Sequence, residues 1–149
     1  MEDLVIYSSF NHYSIRKIKE IAPQAETAYL YSDVILQIDK YAKNEGVNGL
    51  HPAVYHVKMA HFLEEYLQSG LKVRVWTVNQ ESDMKMLIDS GITAIITNYP
   101  DKARMIRWLE VQKNFWVMQK LNVCEKLILW INYQVRIIKV VETTAYYKG

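Results

Sequence analysis

Apolar residues recur along this chain in two rhythms, an alternation of period two and a stripe at helical spacing. Leu4 to Phe10 (LVIYSSF) is strand-like. Asn11 makes a good helix cap, and Ile15, Ile18 and Ile21 then form a helical stripe that ends before Pro23. Thr27 to Tyr31 (TAYLY) predicts a second short strand. Ser32 and Asp33 can cap a helix that turns Val34, Ile38 and Tyr41 inward and stops at Gly46. Val47 to Leu50 reads as short and extended, punctuated by His51-Pro52. The next helix is expected from about Ala53 to Ser69, with Val57, Ala60, Leu63 and Leu67 on one side, and Gly70 ends it. Leu71, Val73 and Val75 alternate with Lys72, Arg74 and Trp76. A helix at Glu81–Asp89 and a strand at Ile92–Thr97 follow, and Pro100-Asp101 opens a helix using Ala103, Ile106 and Leu109.

Strand, helix, strand, helix with short connections is the grammar of parallel βα units. Two architectures use it, an open doubly wound sheet and a closed (β/α)8 barrel. An open nucleotide-binding sheet shows a glycine-rich phosphate loop after its first strand. Here Ser8-Ser9-Phe10-Asn11 stands in that place, and neither GxGxxG nor GxxxxGK occurs.

Residues 110–149 depart from this grammar. Phe115 to Met118 are apolar without a clear helical stripe. Leu127, Leu129, Ile131, Tyr133, Val135 and Ile137 alternate against Asn132, Gln134 and Arg136, which favours a strand, while Ile128, Trp130 and Ile138 blur the alternation and leave a helix open. Charge marks the same division. Residues 1–100 carry 9 Lys+Arg against 12 Asp+Glu, and residues 101–149 carry 9 against 4.

The whole chain has 149 residues and a net charge of +2. That length suits one domain, and that charge does not argue for nucleic acid as a partner. The single cysteine, Cys124, excludes an internal disulfide and a CxxC zinc site, and reads as a small apolar filler. Glu2 and Asp3 oppose a signal peptide, and the apolar run Leu127–Ile131 is too short to span a membrane. A cytoplasmic protein is the expectation, with secretion left open if the native N-terminus lies upstream.

In a parallel barrel, functional residues sit at the C-terminal ends of the strands. Trp76 has the opposite parity from Val73 and Val75, so it should point into the barrel mouth. Phe10 stands in the same relation to Val5 and Tyr7. Two aromatics there would make an apolar wall for a ligand, although ordinary core packing suits the spacing at least as well. Asn11, Asn79 and Asn98 each follow a strand and could hydrogen-bond a ligand, with turn or capping duty as the commoner use. His12, His51, His56 and His61 form no constellation, though His51 could approach a mouth. Glu81-Ser82-Asp83 has chelate spacing, but acidic residues are ordinary at a helix N-terminus.

Taken together, VIYSSFNHYSI at 5–15, VRVWTVN at 73–79 and GITAIITNYPDKA at 91–103 resemble the glycerophosphodiester phosphodiesterase family. The intervening NGLHP and AHFLEEYLQSGLKV fit the same pattern, and the resemblance covers about residues 4–108. It implies an α/β fold, a partial TIM (β/α)8 barrel with roughly the last four βα units, followed by a divergent tail at 109–149. It implies hydrolysis of glycerophosphodiesters to glycerol 3-phosphate and an alcohol, usually with a divalent metal, calcium or magnesium. Phe10, Trp76 and Asn79 would be the substrate-binding residues.

The family's catalytic groups lie in its first half: a His-Arg, a Glu-x-Asp strand, a His-Asp strand, and a later Glu and Lys. No His-Arg or His-Asp dipeptide occurs in this chain, and Glu81-Ser82-Asp83 follows the tryptophan strand where the family's acidic pair comes earlier. No catalytic or metal-ligating residue is therefore assigned, and the chain alone is expected to be inactive. A half barrel also leaves strand edges that a missing N-terminal half, a second copy or the chain's own tail could cover. A non-catalytic assembly module and an unrelated open α/β domain are the rival expectations.

Overall fold

The computed structural model describes residues 5–59, 61–118 and 136–139. Six strands form one sheet in sequential order: β1 (Ile6–Ser9), β2 (Glu26–Tyr31), β3 (Gly49–Pro52), β4 (Lys72–Val75), β5 (Ala94–Thr97) and β6 (Arg136–Lys139). Every neighbouring pair is parallel. The intervening helices are α1 (His12–Ile21), α2 (Ile38–Asn44), α3 (Val54–Val57), α4 (Phe62–Gln68), α5 (Glu81–Asp89) and α6 (Pro100–Met118). Parallel strands joined in chain order by helices make the winding of a (β/α) barrel, here half of one. Five βα units precede residue 119, where about four were expected.

Alternation along the strands sorts side chains into two layers. Tyr29, Tyr31, Leu50, Val73, Val75 and Ile95 are buried with Ile15, Ile38, Ala42, Met84, Leu87 and Ala103 from the helices. That cluster is the core, between sheet and helices. Residues of opposite parity, among them Ser8, Glu26, His51, Arg74 and Trp76, take the inner side of the curved sheet.

Several helix boundaries differ from the sequence expectation. The helix expected from Ser32 begins only at Ile38, after Gln37 in the left-handed region at φ 56°. Val34 therefore lies outside it and is exposed, and Tyr41, expected inward, is exposed as well. Its ring stacks on Tyr29 with centroids 5.0 Å apart. The long helix expected from Ala53 to Ser69 is two, α3 and α4, because His61 has φ 74° and interrupts the helical path. Ile21, on the α1 stripe, ends up exposed in the last turn, while Ile15 carries the buried face.

The helix opened by Pro100 extends further than its apolar stripe suggested, continuing through Met118 and across the boundary expected at residue 108. Once a helix is nucleated, each further residue adds a hydrogen bond at little extra cost. Of the strand expected in the tail, residues 136–139 are described, and they pair in parallel with β5. The rest of that stretch, Ala60 and Cys124 lie outside the described residues. β6 therefore takes one edge of the half-barrel. The other edge, on β1, has no strand partner among the described residues.

Candidate functional site

The strand ends bring Phe10 and Trp76 together. Their ring centroids are 5.4 Å apart with planes at 86°, an edge-to-face pair. Phe10 is 58% exposed, so this contact is a rim and not core packing. Parity put the two rings on one side of the sheet, and the structure brings them into contact there.

Backbone and side-chain bonds both hold Trp76. Its N–H donates to the carbonyl of Pro52 at 3.1 Å, and its carbonyl accepts from the Val54 N–H at 2.6 Å. Its indole Nε1 donates to the carbonyl of His51 at 2.7 Å. The peptide bond to Thr77 is cis. Phe10 leads into α1, whose cap Asn11 accepts from the Tyr13 N–H at 3.1 Å. Beside it runs a groove of about 440 Å³ bordered by Phe10, Tyr13, Arg16 and Tyr41.

Beneath the aromatic pair lies a polar chain that crosses four strands. Glu26 on β2 pairs with Arg74 on β4 and with Lys72 at 2.7 Å. Arg74 Nη1 is 3.4 Å from His51 Nε2, and His51 Nδ1 is 2.9 Å from the Ser8 hydroxyl. Arg74 is 1% exposed, so its charge has almost no water and depends on Glu26. Gly49 makes this crossing possible: a Cβ there would lie 2.7 Å from the Lys72 carbonyl oxygen and 3.1 Å from Arg74 Nη1.

The protonation states follow from these contacts. Burial, then the neighbouring Arg74 cation, pushes His51 down to about 3, so its imidazole is neutral across the physiological range. Burial opposes the charge on Glu26, yet Lys72 and Arg74 together outweigh it and hold the carboxyl below its ordinary value. An arginine can only donate, so His51 Nε2 is the acceptor and Nδ1 carries the proton.

The other candidates have local duties. Asn79 Oδ1 accepts from Thr97 Oγ1 at 3.3 Å and from the Asn98 N–H at 3.1 Å, tying the two strand ends together. Asp83 pairs with Lys58 at 2.7 Å and Glu81 with Lys102 at 3.2 Å, so each carboxylate of the possible chelate has its own cation. His12 stacks on Tyr29 with centroids 3.9 Å apart, and His56 Nε2 bonds the Ser32 carbonyl at 2.7 Å. His61 lies in the turn between α3 and α4. Among the described residues, no three His, Cys, Asp or Glu side chains converge to hold a metal ion. A divalent cation therefore has no fitting donor set in this described part.

Sequence reasoning missed Ser8, Glu26 and Arg74. The available signal was parity. Arg74 alternates with Val73 and Val75 as Trp76 does, and Ser8 shares a strand face with Phe10.

Residues 1–102 match the glycerophosphoryl diester phosphodiesterase family. The chain is 39% identical over 104 residues to the uncharacterized protein YqiK of Bacillus subtilis, covering 69% of this chain and 43% of that protein. It is 34% identical over 100 residues to a glycerophosphodiester phosphodiesterase of Caldanaerobacter subterraneus, covering 67% and 41%. The chain thus spans less than half the length of these relatives. Among solved structures, a glycerophosphodiester phosphodiesterase from Parabacteroides distasonis superposes with a TM-score of 0.62 at 24% identity, covering 70% of this chain and 43% of that one. An Oleispira antarctica phosphodiesterase in complex with the product sn-glycerol-3-phosphate gives 0.62 at 24%, covering 68% and 40%. At that identity the two structures establish the shared fold. No described helix is long and apolar enough to cross a membrane.

Proposed function

The chain belongs to the glycerophosphoryl diester phosphodiesterase family, and on that premise we propose that it supplies the substrate wall of such an enzyme without its catalytic centre. The reaction would be metal-dependent hydrolysis of a glycerophosphodiester to glycerol 3-phosphate and an alcohol, in lipid and glycerol metabolism. Phe10 and Trp76 would pack against the carbon skeleton of the diester, and Asn79 would offer its amide nitrogen to it. Residues 1–108 would carry the family's barrel half, and 109–149 would be a tail that continues α6 and adds β6 to its edge. The cytoplasm is the proposed location.

Attack of water on phosphorus needs a cation to draw charge from the phosphoryl oxygens, a base for the water and an acid for the leaving oxygen. The observation that carries the reading is what lies beside the aromatic pair. The neutral His51 is engaged at both ring nitrogens, and a nearby arginine opposes its protonation. It is therefore a poor proton carrier. The calcium or magnesium of the family reaction would be held by residues of a complementary half.

The test is release of glycerol 3-phosphate from glycerophosphocholine with calcium and magnesium. The pure chain should show none, and a mixture with the N-terminal half of a related enzyme should show some. Robust turnover by the pure chain overturns this reading.

A second reading, a non-catalytic half-barrel module for assembly, is favoured by the edge of β1, which has no strand partner among the described residues, and by Val5 and Tyr7 exposed beside it. Its partner would be a second copy or the missing half. Size-exclusion chromatography with light scattering tests self-association, and a clean monomer at high concentration removes it.

A further inference from the structure

The polar chain under the aromatic pair has a direction, and its last member has no acceptor. Arg74 Nη1 donates to His51 Nε2 at 3.4 Å. The proton of the neutral ring then sits on Nδ1 and is donated to Ser8 Oγ at 2.9 Å. The reverse arrangement would set an N–H of His51 against an N–H of Arg74. Ser8 Oγ is therefore an acceptor from the protein, and its own hydrogen is left to donate. Among the described residues nothing receives it, and Ser8 is exposed on the inner face. The neighbouring Ser9 differs, because its Oγ accepts from the Asn11 N–H at 3.0 Å and serves the start of α1.

Position and charge indicate what the hydroxyl meets. Ser8 and Phe10 lie on one side of the same chain, about 7 Å apart along it. A ligand against the Phe10–Trp76 wall is within reach of the Ser8 hydroxyl. Across the strands, Glu26 carries one negative charge and Lys72 and Arg74 carry two positive charges, so the chain is net cationic at its source. Hydrogen bonds that begin at a guanidinium polarise the donors that follow, which strengthens Ser8 as a donor to an anionic oxygen.

We infer that Ser8 is a ligand-contacting residue whose hydroxyl donates to a phosphate oxygen of the bound glycerophosphate moiety, with His51 and Arg74 as the positioning residues that fix its direction. This rests on the proposed substrate wall. It adds the residue that meets the charged part of the ligand, where Phe10 and Trp76 meet the carbon skeleton.

The test uses the full chain with sn-glycerol 3-phosphate, and inorganic phosphate as a second probe, titrated by NMR chemical shift. Wild type should bind both. Ser8→Ala should weaken both about tenfold, as loss of a hydrogen bond to a charged group does. Ser9→Ala should bind like wild type. Ser8 is exposed, and an unchanged circular dichroism spectrum checks that Ser8→Ala folds. If wild type and Ser8→Ala bind within twofold of each other, this inference fails and the substrate wall stands. If wild type binds neither probe but binds glycerol against the wall, this inference again fails alone. If wild type binds none of the three, both fall.

Discussion

Trp76 donates its indole N–H to the backbone carbonyl of His51 across 2.7 Å, while the side chain of that same His51 is held between Arg74 and Ser8. One residue of β3 thus fixes the aromatic wall with its backbone and the polar chain beneath with its ring. The wall and the chain share a hinge point, so disturbance of one is felt by the other.

Trp76→Phe keeps the edge-to-face partner for Phe10 but removes the N–H that the His51 carbonyl accepts. The expected loss of stability is about 1 kcal/mol, read as a lower midpoint in urea unfolding. Trp76→Ala removes the ring as well and should cost about 3 kcal/mol.

Glu26→Gln leaves Arg74 buried with a weaker partner. Removing one member of a fully buried pair costs about 3–5 kcal/mol. Glu26 is partly exposed and also faces Lys72, so about 2 kcal/mol is expected here. Arg74→Met, which removes the charge and keeps much of the volume, should cost less than Glu26→Gln in the same denaturant titration.

Acid should destabilise the fold through His51 and Glu26, which act in the same direction. His51 has a folded value of about 3 against an ordinary 6.5, so the unfolded chain takes up a proton first. Stability is therefore lost as pH falls from 6.5 towards 3. Glu26, held below its ordinary 4.5, adds a further loss as pH falls below that value. Urea midpoints between pH 4.5 and 7.5 should rise with pH in wild type. In His51→Asn the slope over that range should flatten.

Gly49→Ala would place a Cβ 2.7 Å from the Lys72 carbonyl oxygen, a backbone atom with little room to retreat. The expected cost is about 1–3 kcal/mol by overpacking, with β3 and β4 pushed apart. Faster amide exchange at Lys72 and Arg74 would report the displaced pairing.

Much of the fold was legible because burial repeats with the local period. Val73 and Val75 against Arg74 and Trp76 gave the strand and its two faces, and Met84, Leu87 and Ile88 marked the buried side of α5. The start of α2 was not legible, since Ser32 and Asp33 are good caps and only the left-handed Gln37 shows where the helix begins. The interruption at His61 was hidden for the same reason, because no glycine or proline marks it.

Phe10 and Trp76 could be placed on one side of the sheet by parity alone, since successive side chains of a strand point to opposite faces. Their contact, the pairing of Glu26 with Arg74 and the orientation of His51 could not. These join residues 66, 48 and 23 positions apart, counting Phe10–Trp76, Glu26–Arg74 and His51–Arg74. Such partners are chosen by the register between parallel strands, which each connecting helix sets only when packed. The order of the strands and the face that each strand residue takes were therefore determined by the sequence by itself. Which polar groups satisfy one another, and which hydroxyl finds no acceptor among the described residues, was decided by the tertiary structure, because hydrogen bonding depends on distance and direction that no local pattern records.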